Sequence, residues 1–312
     1  MLKINLNAAP FYQTDLGEAY WGDSLQLMKE IPDSSIDLIL TSPPFALTRK
    51  KEYGNKQEEE YISWFLEFSK EFYRIIKDEG SLVIDLGGAY LPGYPVRSIY
   101  QYELLVRLCR EQKFFLAQEF FHYNPSRLPT PAEWVTVRRI RVKDSVNVVW
   151  WLAKSQYPKA KNRNILRPYS DSMKTLIKNG YKAKLRPSGH DISDKFGKDN
   201  GGAIPPNLLE LPNTNSNGQY QKKCREFGIK PHPARFPKGF SDFFIKFLTE
   251  KNDIVLDPFA GSNTTGFSAE LLNRKWISVE LEKNYLEGSI YRFKSELTLF
   301  PIKLKVNGVK TG

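Results

Sequence analysis

Only two cysteines, Cys109 and Cys224, and three histidines stand among the 312 residues. Thiols so few and so far apart support neither a disulfide framework nor a metal cluster, and they fit a reducing, cytoplasmic setting. Long apolar runs are missing too. Hydrophobic residues make up 41% of the chain, yet no stretch approaches the roughly 18 consecutive apolar residues that a membrane span needs. The opening "MLKINLNAAPFYQTD" has neither an apolar centre nor a cleavage pattern, which argues against secretion. Acid is the third shortage: 35 Asp and Glu face 46 Lys and Arg, a net charge of +11. That excess favours a polyanionic partner, nucleic acid above all.

What is present reads as an α/β chain with a mostly parallel sheet. "SIDLILT" (Ser35 to Thr41), "SLVIDLGG" (Ser81 to Gly88) and "DIVLDPFAG" (Asp253 to Gly261) are short, β-branched apolar runs, each ended by proline or glycine. Between them, "QEEEYISWFLEFSKEFYRIIKDEG" repeats Tyr61, Trp64, Phe65, Phe68, Phe72 and Ile75 at three- and four-residue spacing, predicting a helix with Gly80 as its stop. Tyr100 to Cys109 and Thr264 to Leu272 follow the same pattern more weakly. Strands alternating with helices imply βαβ units and a sheet covered on both faces.

The composition changes at Ser155. From there to Pro231 the chain holds 15 Lys and Arg against six Asp and Glu, so a net +9 of the whole +11 is concentrated in this segment. Its tyrosines and the run "IPPNLLELP" are too apolar for a merely solvated linker. The expected organisation is therefore residues 1–154, an inserted recognition segment over 155–231, and residues 232–312.

"DIVLDPFAGSNTTG" carries the cofactor signal. A strand ends at Asp257, Gly261 lets the backbone approach a ligand closely, and Thr264 or Thr265 begins the next helix. The following strand, "KWISVE", ends in Glu280, 19 residues after Gly261. In a doubly wound fold that separation places a carboxylate on the ribose hydroxyls of an adenosine-containing cofactor. A dinucleotide would need several glycines for its pyrophosphate, and this loop has one. An adenosyl cofactor without phosphates, S-adenosylmethionine, fits better.

"TSPPF" supplies the chemistry. Pro43 and Pro44 fix φ near −65° and donate no backbone hydrogen bond, so the chain leaves the sheet rigidly with the Ser42 and Pro43 acceptors outside any ladder and Phe45 beside them. Fixed acceptors and an aromatic face suit the exocyclic amine of a flat base. That amine is a poor nucleophile because its lone pair is delocalised into the ring. Accepting both its protons at fixed positions localises the pair towards an electrophilic methyl group.

"TSPPF" together with "DPFAGSNTTG" resembles the amino-group DNA methyltransferases of the permuted β class, in which the catalytic motif precedes the cofactor motif. "GGAYLPGYPVRSIY", "EWVTVRRIRVKDSVNVVWW", "RPSGHDI", "KDNGGAIPPNLL", "SNGQY" and "HPARFP" extend the resemblance, over nearly the whole chain, to the PvuII-type cytosine-N4 methyltransferases. The resemblance implies a Rossmann-like S-adenosylmethionine-dependent fold, circularly permuted, with a target-recognition insert. It gives Ser42, Pro43, Pro44 and Phe45 the catalytic role, the first two as acceptors and Phe45 as a stacking ring for a flipped cytosine. Phe259, Ala260, Gly261 and Ser262 match the cofactor loop after Asp257. Glu280 matches the ribose-binding acid, and Asp23 in "YWGDSLQLM" matches an acceptor from the adenine amine. His232 in "HPARFP" is read as a packing or capping residue, and Asp85 as either a cleft residue or a turn former.

Basic groups bracket these motifs: Arg49, Lys50 and Lys51 follow "SPPF", and alternation in "VRRIRVK" would place Arg139, Arg141 and Lys143 on one face of a strand. Phosphate contact is their expected role. His190, Asp191, Lys198 and Asn217 are candidate readers of the target, for which the resemblance suggests CAGCTG in double-stranded DNA. The chemistry calls for no metal. The implied functional partner is a cognate restriction endonuclease, the chain is expected to act as a monomer, and no membrane is involved. Adenine-N6 methylation and a DNA-binding homologue without catalysis are the alternatives; Ser rather than Asp before Pro-Pro speaks against the first, and the two intact loops against the second.

Overall fold

The structure is a computed structural model and describes residues 4, 6–45, 58–180, 197–212, 218–235, 237–294 and 303–307. In chain order the elements are β1 (Tyr12–Gln13), β2 (Gly17–Trp21), α1 (Ser24–Met28), β3 (Ile36–Thr41), α2 (Glu58–Ile75), β4 (Ile76–Leu86), α3 (Tyr100–Arg110), β5 (Phe115–Tyr123) and β6 (Val146–Ala153). They continue with α4 (Asp171–Asn179), β7 (Leu208–Glu210), α5 (Gln219–Glu226), α6 (Lys238–Leu248), β8 (Ile254–Asp257), α7 (Thr264–Leu271), β9 (Lys275–Glu280), α8 (Lys283–Phe293) and β10 (Lys305–Val306). No described helix is long and apolar enough to cross a membrane.

One sheet joins the strands in the order β10-β1-β2-β9-β8-β3-β4-β6-β5-β7. Its centre, β2-β9-β8-β3-β4, is parallel throughout. All six residues of β3 are buried, as an apolar strand covered on both faces requires. On one face Tyr61, Phe65, Phe72 and Ile75 of α2 pack with Leu104 and Leu108 of α3 against Ile39, Leu82, Ile84 and Leu86. The other face carries α6, α7 and α8. The permutation is visible in this order: β3, early in the chain, lies directly beside β8, which follows the insert. Connections run from β8 towards β9 and from β3 towards β4, so the strand order reverses between β8 and β3. Ligands of open α/β sheets bind outside the carboxyl ends of strands at such a reversal.

Two expectations, the Gly80 helix stop and the strand over 137–143, are corrected. The helix of residues 58–75 ends before Gly80, because Ile76 already pairs with Ile36 in the sheet. Gly80 instead sits in the irregularity where Leu38 pairs with Ser81; a Cβ there would lie 2.7 Å from Ile76 and 3.1 Å from the Asp37 carbonyl. The "VRRIRVK" stretch is not a strand. Residues Glu133–Val137 form a π-helical turn, and Arg139 has a left-handed backbone with φ of 55°, which breaks the alternation. The segment that stands apart as a compact unit is 161–206, narrower than 155–231. Lys159 belongs to the main unit through its N–H to the Glu79 carbonyl (3.0 Å) and its ammonium to Asp253 (2.5 Å). Residues after 206 return to that unit as β7, parallel to β5, and as α5 against α8. The smaller unit contains α4, capped by the Ser170 hydroxyl, and an Arg167–Ala203 bridge.

Candidate active site

At the strand-order reversal the ends of β3 and β8 are pinned together. Asp257, fully buried, accepts from the Thr41 hydroxyl (2.8 Å), the Phe259 N–H (3.2 Å) and the Thr265 hydroxyl (2.7 Å). Burial pushes its carboxyl up to about 6 despite those donors. It does not line the cavity. Its oxygens are taken by groups inside the protein, and it pins the two strand ends beneath the loop.

From Asp257 the chain turns into a loop fixed at every step. Ala260 N–H donates to the Val279 carbonyl (3.0 Å), and Gly261 N–H donates to Glu280 Oε2 (2.6 Å). Gly261 has φ of 51°, and a Cβ on it would lie 3.1 Å from the His232 ring, so both conformation and space select glycine. Asn263 caps α7 by accepting from Gly266 N–H (3.0 Å) and from Ser278 Oγ (2.7 Å). Glu280 Oε1 accepts from Glu282 N–H (2.8 Å), and burial raises its carboxyl to about 7.

A cavity of about 360 Å³ opens here, lined by Asp23, Ser42 to Phe45, Pro258 to Ser262, Glu280 and His232 among others. Every expected catalytic residue and every expected cofactor residue except Asp257 meets in its wall. Asp23 also caps α1, its Oδ1 accepting from Leu25 N–H (2.8 Å) and Gln26 N–H (3.2 Å). Gly87, just past β4, packs on the Phe45 ring: a Cβ would lie 2.4 Å from it. Asp85 is buried, with its carboxylate 3.4 Å from His122 Nδ1, and is not part of the lining.

Several contributors lay outside the sequence reading. Tyr61, Trp64 and Phe68 line the cavity as well as the core, and the Phe259 ring packs 5.7 Å from Trp64 and 5.0 Å from Phe68. Their helical spacing was visible, but the same spacing describes any core-facing helix. Arg292 donates to the Ser262 carbonyl (2.6 Å) and hydroxyl (2.8 Å). Its guanidinium lies 4.5 Å from the Tyr220 ring centre, and burial lowers it to about 10. Tyr220 also accepts the His232 N–H at 3.1 Å, so helices α5 and α8 brace the loop from behind.

Of the expected DNA-contacting residues, Arg139, Arg141, Lys143 and Lys198 are described. Arg139, Lys143 and Lys198 are exposed, while Arg141 is half-buried and donates to the Pro95 carbonyl at 2.5 Å. Arg49, Lys50, Lys51, His190, Asp191 and Asn217 lie outside the described residues. No group of three or more potential metal ligands occurs among the described residues.

Comparison with known proteins agrees with this geometry. The N6/N4 DNA methylase family model matches residues 36–291. The type II methyltransferase M.PvuII of Proteus hauseri is 54% identical over 293 residues, which span 93% of this chain and 87% of that protein. The solved structure of the PvuII DNA methyltransferase (cytosine-N4-specific) superposes with a TM-score of 0.78 at 46% identity, covering 94% of this chain and 92% of the other. A DNA modification methylase of Thermus thermophilus, solved with S-adenosyl-L-methionine, shares the fold alone, with a TM-score of 0.55, 18% identity and coverage of 90% and 96%. The chain belongs to the N6/N4 DNA methylase family, with the permuted β-class fold, and within it to the PvuII-type cytosine-N4-specific methyltransferases.

Proposed function

We propose that this enzyme, a site-specific DNA methyltransferase acting on cytosine N4, uses S-adenosyl-L-methionine on a cytosine turned out of duplex DNA, within CAGCTG. One observation carries the reading: the β3–β8 contact brings Ser42 to Phe45 and Phe259 to Ser262 around a single cavity. The residues present suit the donor. Glu280 is a desolvated carboxylate in the cavity wall, Gly261 leaves room for close backbone approach, and Phe259, Trp64 and Phe68 supply an apolar side.

When bound, the donor supplies a methyl group activated on a sulfonium. The chain supplies alignment. Glu280 would accept from the ribose hydroxyls and Asp23 from the adenine amine, both being in the cavity wall. Ser42 Oγ and the Pro43 carbonyl would accept hydrogen bonds from the two N4–H groups, and the Phe45 ring, held by its contact with Gly87, would stack on the base. Held so, the cytosine nitrogen would face the sulfonium methyl in line for displacement, the donor would keep the S–C electron pair on sulfur, and the surplus nitrogen proton would pass to solvent. Positioning of reactants supplies a large part of the rate, so no metal is needed. The basic insert and the recognition of CAGCTG fit a functional pairing with a restriction endonuclease that cuts the unmodified site.

Nucleoside mass spectrometry of DNA treated with the enzyme tests the reaction: N4-methylcytosine is expected, and N6-methyladenine or 5-methylcytosine overturns it. Treated plasmid should resist cleavage at CAGCTG while unrelated sites stay cleavable. Full cutting at CAGCTG despite methyl incorporation overturns the target sequence alone.

A further inference from the structure

The connection between β5 and β6, residues 124–145, is built unlike an ordinary surface loop. Its base closes where Asn124 N–H meets the Ser145 carbonyl at 2.8 Å. Its interior polar groups are largely committed. Lys143 donates to the Pro125 (3.0 Å) and Arg127 (3.3 Å) carbonyls, and Arg138 pairs with Glu133 (2.8 Å) while covering the Trp134 ring. The Trp134 carbonyl accepts from both Ile140 N–H (3.0 Å) and Arg141 N–H (3.2 Å), folding the chain tightly at Arg139. What this framework holds outward is apolar: Val137, Ile140 and Val142 are 70%, 58% and 83% exposed. A rigid frame presenting three bare aliphatic side chains within six positions calls for a partner, since exposed apolar groups in a cluster mark interaction sites.

Its place in the fold says which partner. β6 is antiparallel to both β4 and β5, so the β5–β6 connection leaves the sheet at the same carboxyl edge as the "SPPF" turn after β3. It is fastened to the segment after β4. Arg141 donates to the Pro95 carbonyl and lies 4.9 Å from the Tyr90 ring centre, and Tyr90 donates to Asp144. That segment begins at Gly87, against the Phe45 ring. Five basic residues, Arg127, Arg138, Arg139, Arg141 and Lys143, against two acids, Glu133 and Asp144, make the connection cationic over 125–145. Arg139, in the left-handed turn between Val137 and Ile140, is exposed.

We propose that this crest enters the target duplex, with Val137, Ile140 and Val142 filling the stack beside the cytosine as it leaves and Arg139 meeting the adjoining phosphate. The inference rests on the DNA-methyltransferase reading above and adds to it the group that stabilises the opened duplex. Apolar wedges inserted between base steps offset lost stacking. A base must leave the helix before its amine is reachable, so a wedge speeds methylation of paired targets specifically.

The test is single-turnover methyl transfer by wild type and V137S/I140S/V142S on two duplexes of one sequence. In one the target cytosine is paired with guanine; in the other it faces an abasic site. The exposed positions leave folding intact, which unchanged S-adenosylmethionine affinity checks. The variant should be slowed by roughly tenfold or more on the paired duplex and by less than about threefold on the abasic one, because extrusion there already lacks a pairing cost. Equal slowing on both duplexes, or none on either, overturns the wedge. Failure of the wild type to methylate either duplex instead sinks the reading on which it rests.

Discussion

The cofactor loop, residues 258–263, and the 124–145 connection leave the same edge of one sheet, and they divide their bonds in opposite ways. In the first, backbone and side chains bond inward until Ser262 and Asn263 are almost fully buried. In the second, inward bonds serve to hold aliphatic side chains out in solvent. A small ligand of fixed shape rewards a cavity already formed, because nothing need be reorganised on binding. A duplex that must be opened rewards a surface which is unsatisfied until the opened form arrives.

The sharpest way to break this contrast is at Ser42, in the wall of the cavity. Ser42→Ala should slow single-turnover methyl transfer by about 10²-fold, the usual cost of losing one preorganised hydrogen bond, while cofactor and DNA affinities stay near wild type. An unchanged rate removes Ser42 from the mechanism.

The next effect is on the cofactor side and depends on pH. Burial raises Glu280 to about 7, and the ionised form is the better acceptor for two hydroxyls. Affinity for S-adenosylmethionine should therefore be full above about pH 7 and fall by up to about tenfold per unit below it, the limit for one proton. Titration calorimetry across pH reads this, and Glu280→Gln should bind weakly with a flat profile; a sloping profile in the variant assigns the proton elsewhere. Stability of the empty protein moves the other way. Asp257 and Glu280 both hold a proton more tightly folded than unfolded, so stability falls as pH rises from about 4 through 6 to 7.

The smallest effect belongs to the exposed side. Arg139→Ala should weaken duplex binding by only about two- to threefold and reduce the salt slope by about one, as for a single phosphate contact. An unchanged slope in fluorescence anisotropy withdraws Arg139 from the phosphate.

Both loops that meet at the cavity were legible in the sequence because each is a local event: an apolar strand and a forced exit at proline or glycine. Glu280 was legible by its spacing from Gly261. The role of Asp257 as a pin was not legible, because the Thr41 hydroxyl that engages it comes from 216 positions away. Arg292 and Tyr220 were missed for the same reason, their partners being close only in space. "VRRIRVK" alternates as a strand does, and nothing in the alternation reveals the left-handed turn at Arg139 that spoils it. Gly80 was read as a helix stop, since a glycine in a sheet irregularity and one after a helix look alike in one dimension.

The β3–β8 pairing also governs when the enzyme comes into being. Strand β3 is synthesised before β8, its neighbour on one side, which begins at Ile254, so a growing chain exposes an apolar strand with one unpaired edge until that point is passed. Pairings so distant in sequence form late and slowly, and an open strand edge invites aggregation meanwhile. A ribosome that stalls before β8 releases a polypeptide carrying the whole "SPPF" turn and no means of presenting a methyl donor to it. Catalytic competence therefore waits on a pairing that spans more than two hundred positions, from Leu38 to Val255.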